Sequence, residues 1–153
     1  MSGPWRLREA GLRYAPPFVV DASVALATAV EEPWSGAAQA LFEHAGHEAL
    51  ALLVPDLFWY EVANALRYRL ATDRAGLLRN FGAMIAAPLA TLPLAPAELA
   101  DVAAMALDED LTVYDAAYLF LAQRIGCSLI TEDKRLLAAA GGRYSRSLRE
   151  IGL

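Results

Sequence analysis

The sequence predicts an α/β fold, in which helices cover both faces of a central, mainly parallel sheet of four or five short strands. Short apolar runs, typical of strands buried on both faces, alternate with longer helical segments from residue 18 onward. With 153 residues, 57% of them hydrophobic, the chain is long enough for one well-buried core without disulfides or structural metals. No repeat or interdomain linker interrupts the alternation. We therefore expect a three-layer α/β/α sandwich in one domain.

Five short runs predict the strands. The first, Phe18-Val19-Val20, is apolar and mostly β-branched, as expected of a strand buried on both faces. The third run is predicted despite Pro93, and the last is expected to add an edge strand. The predicted strands cover residues 18–20, 49–54, 89–94, 127–130 and 144–148.

Amphipathic or Ala/Leu-rich segments between these runs predict the helices. Glu31-Glu32-Pro33 separates the first helix from the second, Pro96 takes the favoured first-turn position, and Gly141-Gly142 ends the last helix. The predicted helices cover residues 22–30, 35–44, 56–71, 74–87 and 97–107, a segment that begins near residue 112, and residues 133–140.

Residues 1 to 17 mix charge, Gly and Pro without a clear period, which predicts an N-terminal extension ahead of a folded domain that covers residues 18 to 153. Prolines interrupt both the first apolar run and a long uncharged run, residues 82 to 97, so we expect neither a signal peptide nor a membrane span. The only cysteine, Cys127, lies in an apolar run typical of a core position. We expect a cytoplasmic protein that does not associate with membranes.

The charge distribution limits the possible partners. A net charge of −5 argues against broad, nonspecific binding of polyanions. Basic residues are concentrated in two stretches, residues 67–79 and 134–149, and all of them except Lys134 are arginine, which suits bidentate contacts to phosphate. A solvated helix face is the simpler explanation for any single one of these arginines.

Four acidic residues occupy positions where chemistry is expected. Asp21, Asp115 and Asp133 each lie in the first turn of a predicted helix, and two of them follow a predicted strand. Open parallel sheets bind ligands at the carboxyl ends of their strands. Glu61 lies at the edge of the apolar stripe of its helix, where an unpaired carboxylate is unfavourable.

Structural roles remain open for these acids. Asp21 or Ser23 could cap the first helix, and Thr112 with Asp115 resembles a capping box. Glu61 could form an ion pair with an arginine.

Convergence of these carboxylates would require a counter-charge, and a hard divalent cation such as Mg²⁺ or Mn²⁺ supplies it. His44 and His47 have no further ligand spaced nearby, so the sequence does not predict a zinc site.

Four blocks in chain order resemble the signature of PIN-domain ribonucleases, and most closely that of the VapC-type toxins of prokaryotic toxin–antitoxin pairs. The resemblance covers about residues 18 to 150. The blocks are Val19-Val20-Asp21-Ala22-Ser23, Glu61-Val62-Ala63-Asn64-Ala65, Tyr114-Asp115-Ala116-Ala117-Tyr118-Leu119 and Leu129-Ile130-Thr131-Glu132-Asp133.

The resemblance implies the site, the reaction and the partners. The implied metal-binding and catalytic quartet is Asp21, Glu61, Asp115 and Asp133, and the implied supporting residues are Ser23, Asn64 and Thr131. The implied reaction is hydrolysis of RNA phosphodiester bonds by a water activated by Mg²⁺, with Mn²⁺ as the alternative ion. The implied role is the toxin of a type II pair, with RNA as substrate, a VapB-type antitoxin as partner and a homodimer as assembly.

Other readings remain open. Glu132 competes with Asp133 as the acid of the last block. The same fold without a toxin role would be an RNA-processing nuclease or a catalytically silent binding module. A phosphotransfer or dehalogenase-like enzyme fits poorly, because Ser23 stands where its second acid is expected and Lys134 is the only lysine. The successive aromatics of residues 58–60 cannot all face one core, so we expect at least one of them to contact a partner chain.

Overall fold

The structure, a computed structural model of the chain, describes residues 7–9, 12–14, 16–47, 50–70 and 73–152. Within these residues, five short strands form one all-parallel sheet, and an antiparallel pair precedes it. The pair consists of Leu7–Glu9 (β1) and Leu12–Tyr14 (β2), and the sheet consists of Phe18–Val20 (β3), Leu52–Val54 (β4), Leu89–Thr91 (β5), Ser128–Ile130 (β6) and Ser145–Arg146 (β7).

Eight α-helices surround the sheet in the described part of the chain. They are Ala22–Leu26 (α1), Ser35–His47 (α2), Leu57–Arg69 (α3), Arg74–Ile85 (α4), Glu98–Asp108 (α5), Val113–Ile125 (α6), Lys134–Ala138 (α7), which continues into a 3₁₀ turn at Ala139–Gly142, and Leu148–Ile151 (α8).

Helices cover both faces of the sheet. Every residue of β3, β4 and β6 is buried although successive side chains point to opposite faces, so neither face is open to water. Helix α6 packs against β3 and β6, and α1 packs against α2 and α3. The predicted three-layer sandwich around a parallel sheet is confirmed.

The strand order β5-β4-β3-β6-β7 places β3 at the centre. The chain runs from β3 outward to β5 and then crosses to the other side of β3, so the order changes direction at this strand, which is where open sheets form ligand crevices. Val20 pairs with Ile130 in the register, and the N–H of Asp21 donates to the carbonyl of Ile130 at 3.0 Å. Asp21 and Thr131 therefore leave the sheet side by side.

Several elements are shorter than predicted. Helix α1 ends at Leu26 because the N–H groups of Thr28 and Ala29 donate to carbonyls three residues earlier instead of four. Strand β5 ends at Thr91, before Pro93, which has no N–H to donate.

The C-terminal region differs most from the prediction. Helix α7 ends at Ala138, and Ala140 adopts a left-handed backbone with φ 51° while its N–H donates to Glu109. The predicted edge strand is present as the short β7, but α8 follows it and was missed. The missed signal is the capping box of Ser147 and Glu150.

Some predictions fall on residues that lie outside the described ones. These include residues 1–6 of the predicted extension, and residues 49 and 71, at the predicted ends of a strand and a helix. The division into an extension and a folded domain stays a prediction. No helix in the described ranges combines the length and apolar character that crossing a bilayer requires. Cys127 is buried, as predicted, and burial raises the pKa of its thiol.

The three successive aromatics of α3 face different surroundings, as predicted. Phe58 is 0% exposed in the core, and the indole N–H of Trp59 donates to the hydroxyl of Thr91 at 2.8 Å. Tyr60 is 80% exposed. Its contact with a partner chain stays a prediction.

The different surroundings of Phe58 and Tyr60 predict that replacing each by alanine will change the free energy of unfolding by different amounts. Phe58→Ala should lower the free energy of unfolding by about 3–5 kcal/mol, because it leaves a cavity in the core. Tyr60→Ala should change it by no more than about 0.5 kcal/mol at a concentration where the protein is monomeric. Urea unfolding followed by circular dichroism measures both, and equal losses would contradict the placement of the two rings.

Candidate active site

Asp21 is a buried carboxylate just beyond the central strand. It is 8% exposed, and its Oδ2 accepts hydrogen bonds from the hydroxyls of Ser23 at 2.8 Å and Thr131 at 2.9 Å. Asp21 occupies the N-cap position of α1, yet its side chain makes no capping hydrogen bond. Helix capping therefore does not explain why an aspartate stands here.

The surroundings of Asp21 disfavour its charged form. Burial raises the pKa of Asp21, the hydrogen bonds from Ser23 and Thr131 lower it, and the charge of Asp115 raises it further. The net shift is upward, because hydrogen bonds from neutral donors do not replace all the water that a buried carboxylate loses.

Glu61 approaches the same region from α3. Its side chain is partly buried, and its Oε2 accepts a short hydrogen bond from the phenol of Tyr118 on α6. Burial raises the pKa of Glu61, the hydrogen bond from Tyr118 lowers it, and the charges of Asp21 and Asp115 raise it. The ion pairs among the described residues are Arg69 with Glu32 and Arg124 with Glu98, so no described arginine pairs with Glu61.

Asp115 lies in the first turn of α6. The hydroxyl of Thr112 accepts from the N–H of Asp115 at 3.0 Å and donates to its Oδ2 at 2.7 Å. Thr112 thus caps α6, as the resemblance of Thr112 and Asp115 to a capping box predicted. The carboxylate of Asp115 nevertheless contributes charge to the same region, since it raises the pKa values of Asp21 and Glu61.

Asp133 is placed differently from the other three acids. It is exposed, and its Oδ1 caps α7 by accepting from the N–H groups of Arg135 at 2.8 Å and Leu136 at 3.1 Å. Its own N–H donates to the hydroxyl of Thr131 at 3.0 Å, which links it to Asp21 through one residue. Within the described residues, the charges that shift the pKa values of Asp21 and Glu61 do not include that of Asp133.

The neighbouring acid, Glu132, has a structural role. Its Oε1 accepts from the N–H of Leu148 at 2.8 Å, at the first turn of α8. This contact leaves Asp133 as the candidate site acid of its block.

Only two of the three predicted supporting residues contact a site acid. Ser23 and Thr131 both contact Asp21. Asn64 lies one turn beyond Glu61 on α3, and its exposed side chain makes no hydrogen bond to any described residue. Sequence reasoning missed Tyr118, although a tyrosine in an otherwise Ala/Leu-rich buried stretch signals that its hydroxyl needs a partner.

The chemistry of this cluster fits a hard divalent cation. Three carboxylates lie within electrostatic range of one another, and no described lysine or arginine forms an ion pair with them. Oxygen donors alone suit Mg²⁺ or Mn²⁺. Across the described ranges, no three Asp, Glu, His or Cys side chains are grouped closely enough to hold a metal ion together. Each of the three carboxylates accepts a hydrogen bond from a hydroxyl group.

The fold and the acidic edge agree with a known class of proteins. The family model described as the PIN domain matches residues 18–142, and the chain belongs to this family. It is 39% identical to Ribonuclease VapC3 of Pyrobaculum aerophilum over 131 residues, which cover 77% of this chain and 90% of that protein. The resemblance to VapC-type PIN proteins is confirmed.

Two solved structures are similar in fold. PAE2754 from Pyrobaculum aerophilum is 28% identical with a TM-score of 0.65, covering 88% of this chain and 91% of that chain. VapC20 of Mycobacterium tuberculosis, described as a sarcin-ricin loop cleaving toxin, is 12% identical with a TM-score of 0.65 and covers 80% of this chain and 95% of that chain. At 12% identity the second likeness supports the fold alone.

The raised pKa values predict how stability depends on pH in the absence of divalent metal. A carboxyl whose pKa is raised by folding binds protons more tightly in the folded state, so its contribution to stability falls as pH rises above the unfolded pKa of about 4. Asp21→Asn removes the contribution of Asp21 to this loss of stability, because asparagine carries no charge. In EDTA at pH 7 the variant should therefore resist urea better than the wild type, and the difference should shrink towards pH 4.

Asp108→Asn is the matched control, because Asp108 is exposed and lies outside the cluster. A destabilisation by Asp21→Asn of equal size at both pH values would contradict the assignment of Asp21 as an unfavourably buried charge.

Proposed function

We propose that this protein is a metal-dependent endoribonuclease of the VapC type, which acts as the toxin of a type II toxin–antitoxin pair. The observation that carries the proposal is the buried carboxylate of Asp21 within range of the charges of Glu61 and Asp115, with hydroxyl groups as its described partners. The 39% identity to a protein named Ribonuclease VapC3 supports RNA as the substrate.

Asp21, Glu61 and Asp115 would hold the cation, and Asp133 is the proposed fourth acid. When bound, Mg²⁺ or Mn²⁺ supplies the positive charge that offsets the carboxylates and the phosphate, and it makes a water molecule more acidic. The geometry favours unequal roles within the quartet, because one oxygen of Asp133 already caps α7.

The chain's own residues orient these groups. Ser23 and Thr131 hold Oδ2 of Asp21, and Thr112 holds Oδ2 of Asp115. Asn64 is the proposed supporting residue at the exposed side of α3. In the proposed hydrolysis, water adds to phosphorus and the bond to the 3′ oxygen breaks, which leaves a 3′ hydroxyl and a 5′ phosphate.

The proposed partners follow from the surface and the family. Tyr60 and Tyr68 are exposed and eight residues apart on α3, so they share a face and support a homodimer. The relationship to VapC proteins supports a VapB-type antitoxin as the second partner and the cytoplasm as the location. The arginines of residues 67–79 and 134–149 are candidates for contacts to RNA phosphates.

Asp21→Asn should abolish metal-dependent RNA cleavage and relieve growth arrest on expression, because it removes the most buried charge of the cluster. The measurement is cleavage of total cellular RNA by the purified protein in Mg²⁺ and in EDTA, followed by mapping of the cut ends. Asp108→Asn should cleave as the wild type does.

Unchanged toxicity of Asp21→Asn would show that the proposed site is wrong. Cleavage without growth arrest would point to an RNA-processing nuclease, and no cleavage by the wild type would point to a silent binding module.

Asp133→Asn should reduce cleavage less than Asp21→Asn does. Asparagine caps helices as well as aspartate, so α7 should be retained and stability should change by no more than about 0.5 kcal/mol. We expect a loss of about 10- to 100-fold in single-turnover rate, typical of an outer ligand or orienting group. A loss as complete as that of Asp21→Asn would mean that Asp133 is an equal member of the site.

A further inference from the structure

Tyr118 is a polar residue in the most deeply buried stretch of α6. The residues beside it in sequence, Ala117 and Leu119, are buried, and Tyr118 itself is 0% exposed. A buried phenol requires a hydrogen-bond partner, and the partner here is Oε2 of Glu61, 57 positions away in sequence. The contact joins α6 to α3 at the acidic edge of the sheet.

In this contact the phenol of Tyr118 is the donor and Oε2 of Glu61 is the acceptor. The carboxylate of Glu61 makes no other hydrogen bond or ion pair within the described residues, so this contact alone fixes its orientation.

Helix α6 therefore sets the position of two acids. Asp115 lies on it directly, and Tyr118, three residues later and on the same side, holds Glu61. Because the ring of Tyr118 is enclosed by the core, its hydroxyl is a rigid point from which the flexible side chain of Glu61 is held.

We propose that Tyr118 is a positioning residue, which holds the Glu61 carboxylate in the orientation that serves the divalent-cation site. The inference rests on the proposed function, and it adds a residue outside the acidic quartet and its predicted supporting groups. Without the phenol hydroxyl, Glu61 loses its described partner and samples other rotamers, so the site binds its cation less tightly.

The test is the Mn²⁺ affinity of the full-length, metal-free protein, measured by electron paramagnetic resonance titration. Tyr118→Phe removes the hydroxyl and keeps the ring, and it should weaken Mn²⁺ binding about 10- to 100-fold. Tyr114→Phe is the matched control, because Tyr114 lies one turn earlier on α6 and is 65% exposed, and it should leave the affinity unchanged.

The same titration in a Glu61→Gln background shows whether Tyr118 acts through Glu61. There Tyr118→Phe should have no further effect on Mn²⁺ affinity. A further loss in that background, an equal loss in Tyr114→Phe, or wild-type affinity in Tyr118→Phe would overturn the proposal.

A proton NMR measurement on the wild type decides the matter if Tyr118→Phe does not fold. The hydroxyl proton of Tyr118 should give a downfield resonance that persists when Mg²⁺ is added, and its disappearance on adding Mg²⁺ would overturn the proposal. If the wild type cleaves RNA and binds Mn²⁺, and Tyr118→Phe binds Mn²⁺ with the same affinity, the positioning role alone is refuted. Wild-type protein that neither binds Mn²⁺ nor cleaves RNA would refute the proposed function, and this inference with it.

Discussion

A carboxylate buried at the end of the central strand is the constraint on which the site depends. Asp21 follows a strand that is hydrogen-bonded on both sides, so its position cannot relax without disturbing the middle of the sheet. Burial separates the charge from water, and the neighbouring acids add repulsion. Hydrogen bonds from the hydroxyls of Ser23 and Thr131 and from the backbone of Ser23 oppose these effects, since they lower the pKa that burial raises. The fold thus accepts an unfavourable charge where a ligand is expected to bind.

The surrounding elements give each acid a different kind of partner. Asp21 is held by hydroxyls from its own helix and from the neighbouring strand end, Glu61 is held by a phenol from the core, and Asp115 by a threonine at the start of its helix. Neutral donors of this kind orient a carboxylate without cancelling its charge. An arginine in the same place would cancel it. The two ion pairs of the described residues involve Glu32 and Glu98 and none of the site acids. This arrangement leaves the cluster without a positive side chain from the described residues, as the proposed cation site requires.

Local patterns in the sequence were sufficient for the architecture and for the positions of the acids. The apolar run before Asp21 predicted a central strand, and the register with β6 then brings Thr131 beside it. Local patterns did not reveal the partners, because the contacts of Asp21 with Thr131 and of Glu61 with Tyr118 span 110 and 57 positions. They also could not separate the roles of Asp21 and Asp133, which look alike in sequence. One has no capping bond and the other caps its helix.

The most direct measurement of the central claim is a crystal structure of the protein grown with Mn²⁺, in which anomalous scattering locates the ion. Our account predicts one dominant peak between the carboxylates of Asp21, Glu61 and Asp115, with the phenol of Tyr118 still bonded to Glu61. Crystals in which these carboxylates are neutralised by basic side chains, or in which the ion lies elsewhere on the molecule, would contradict it.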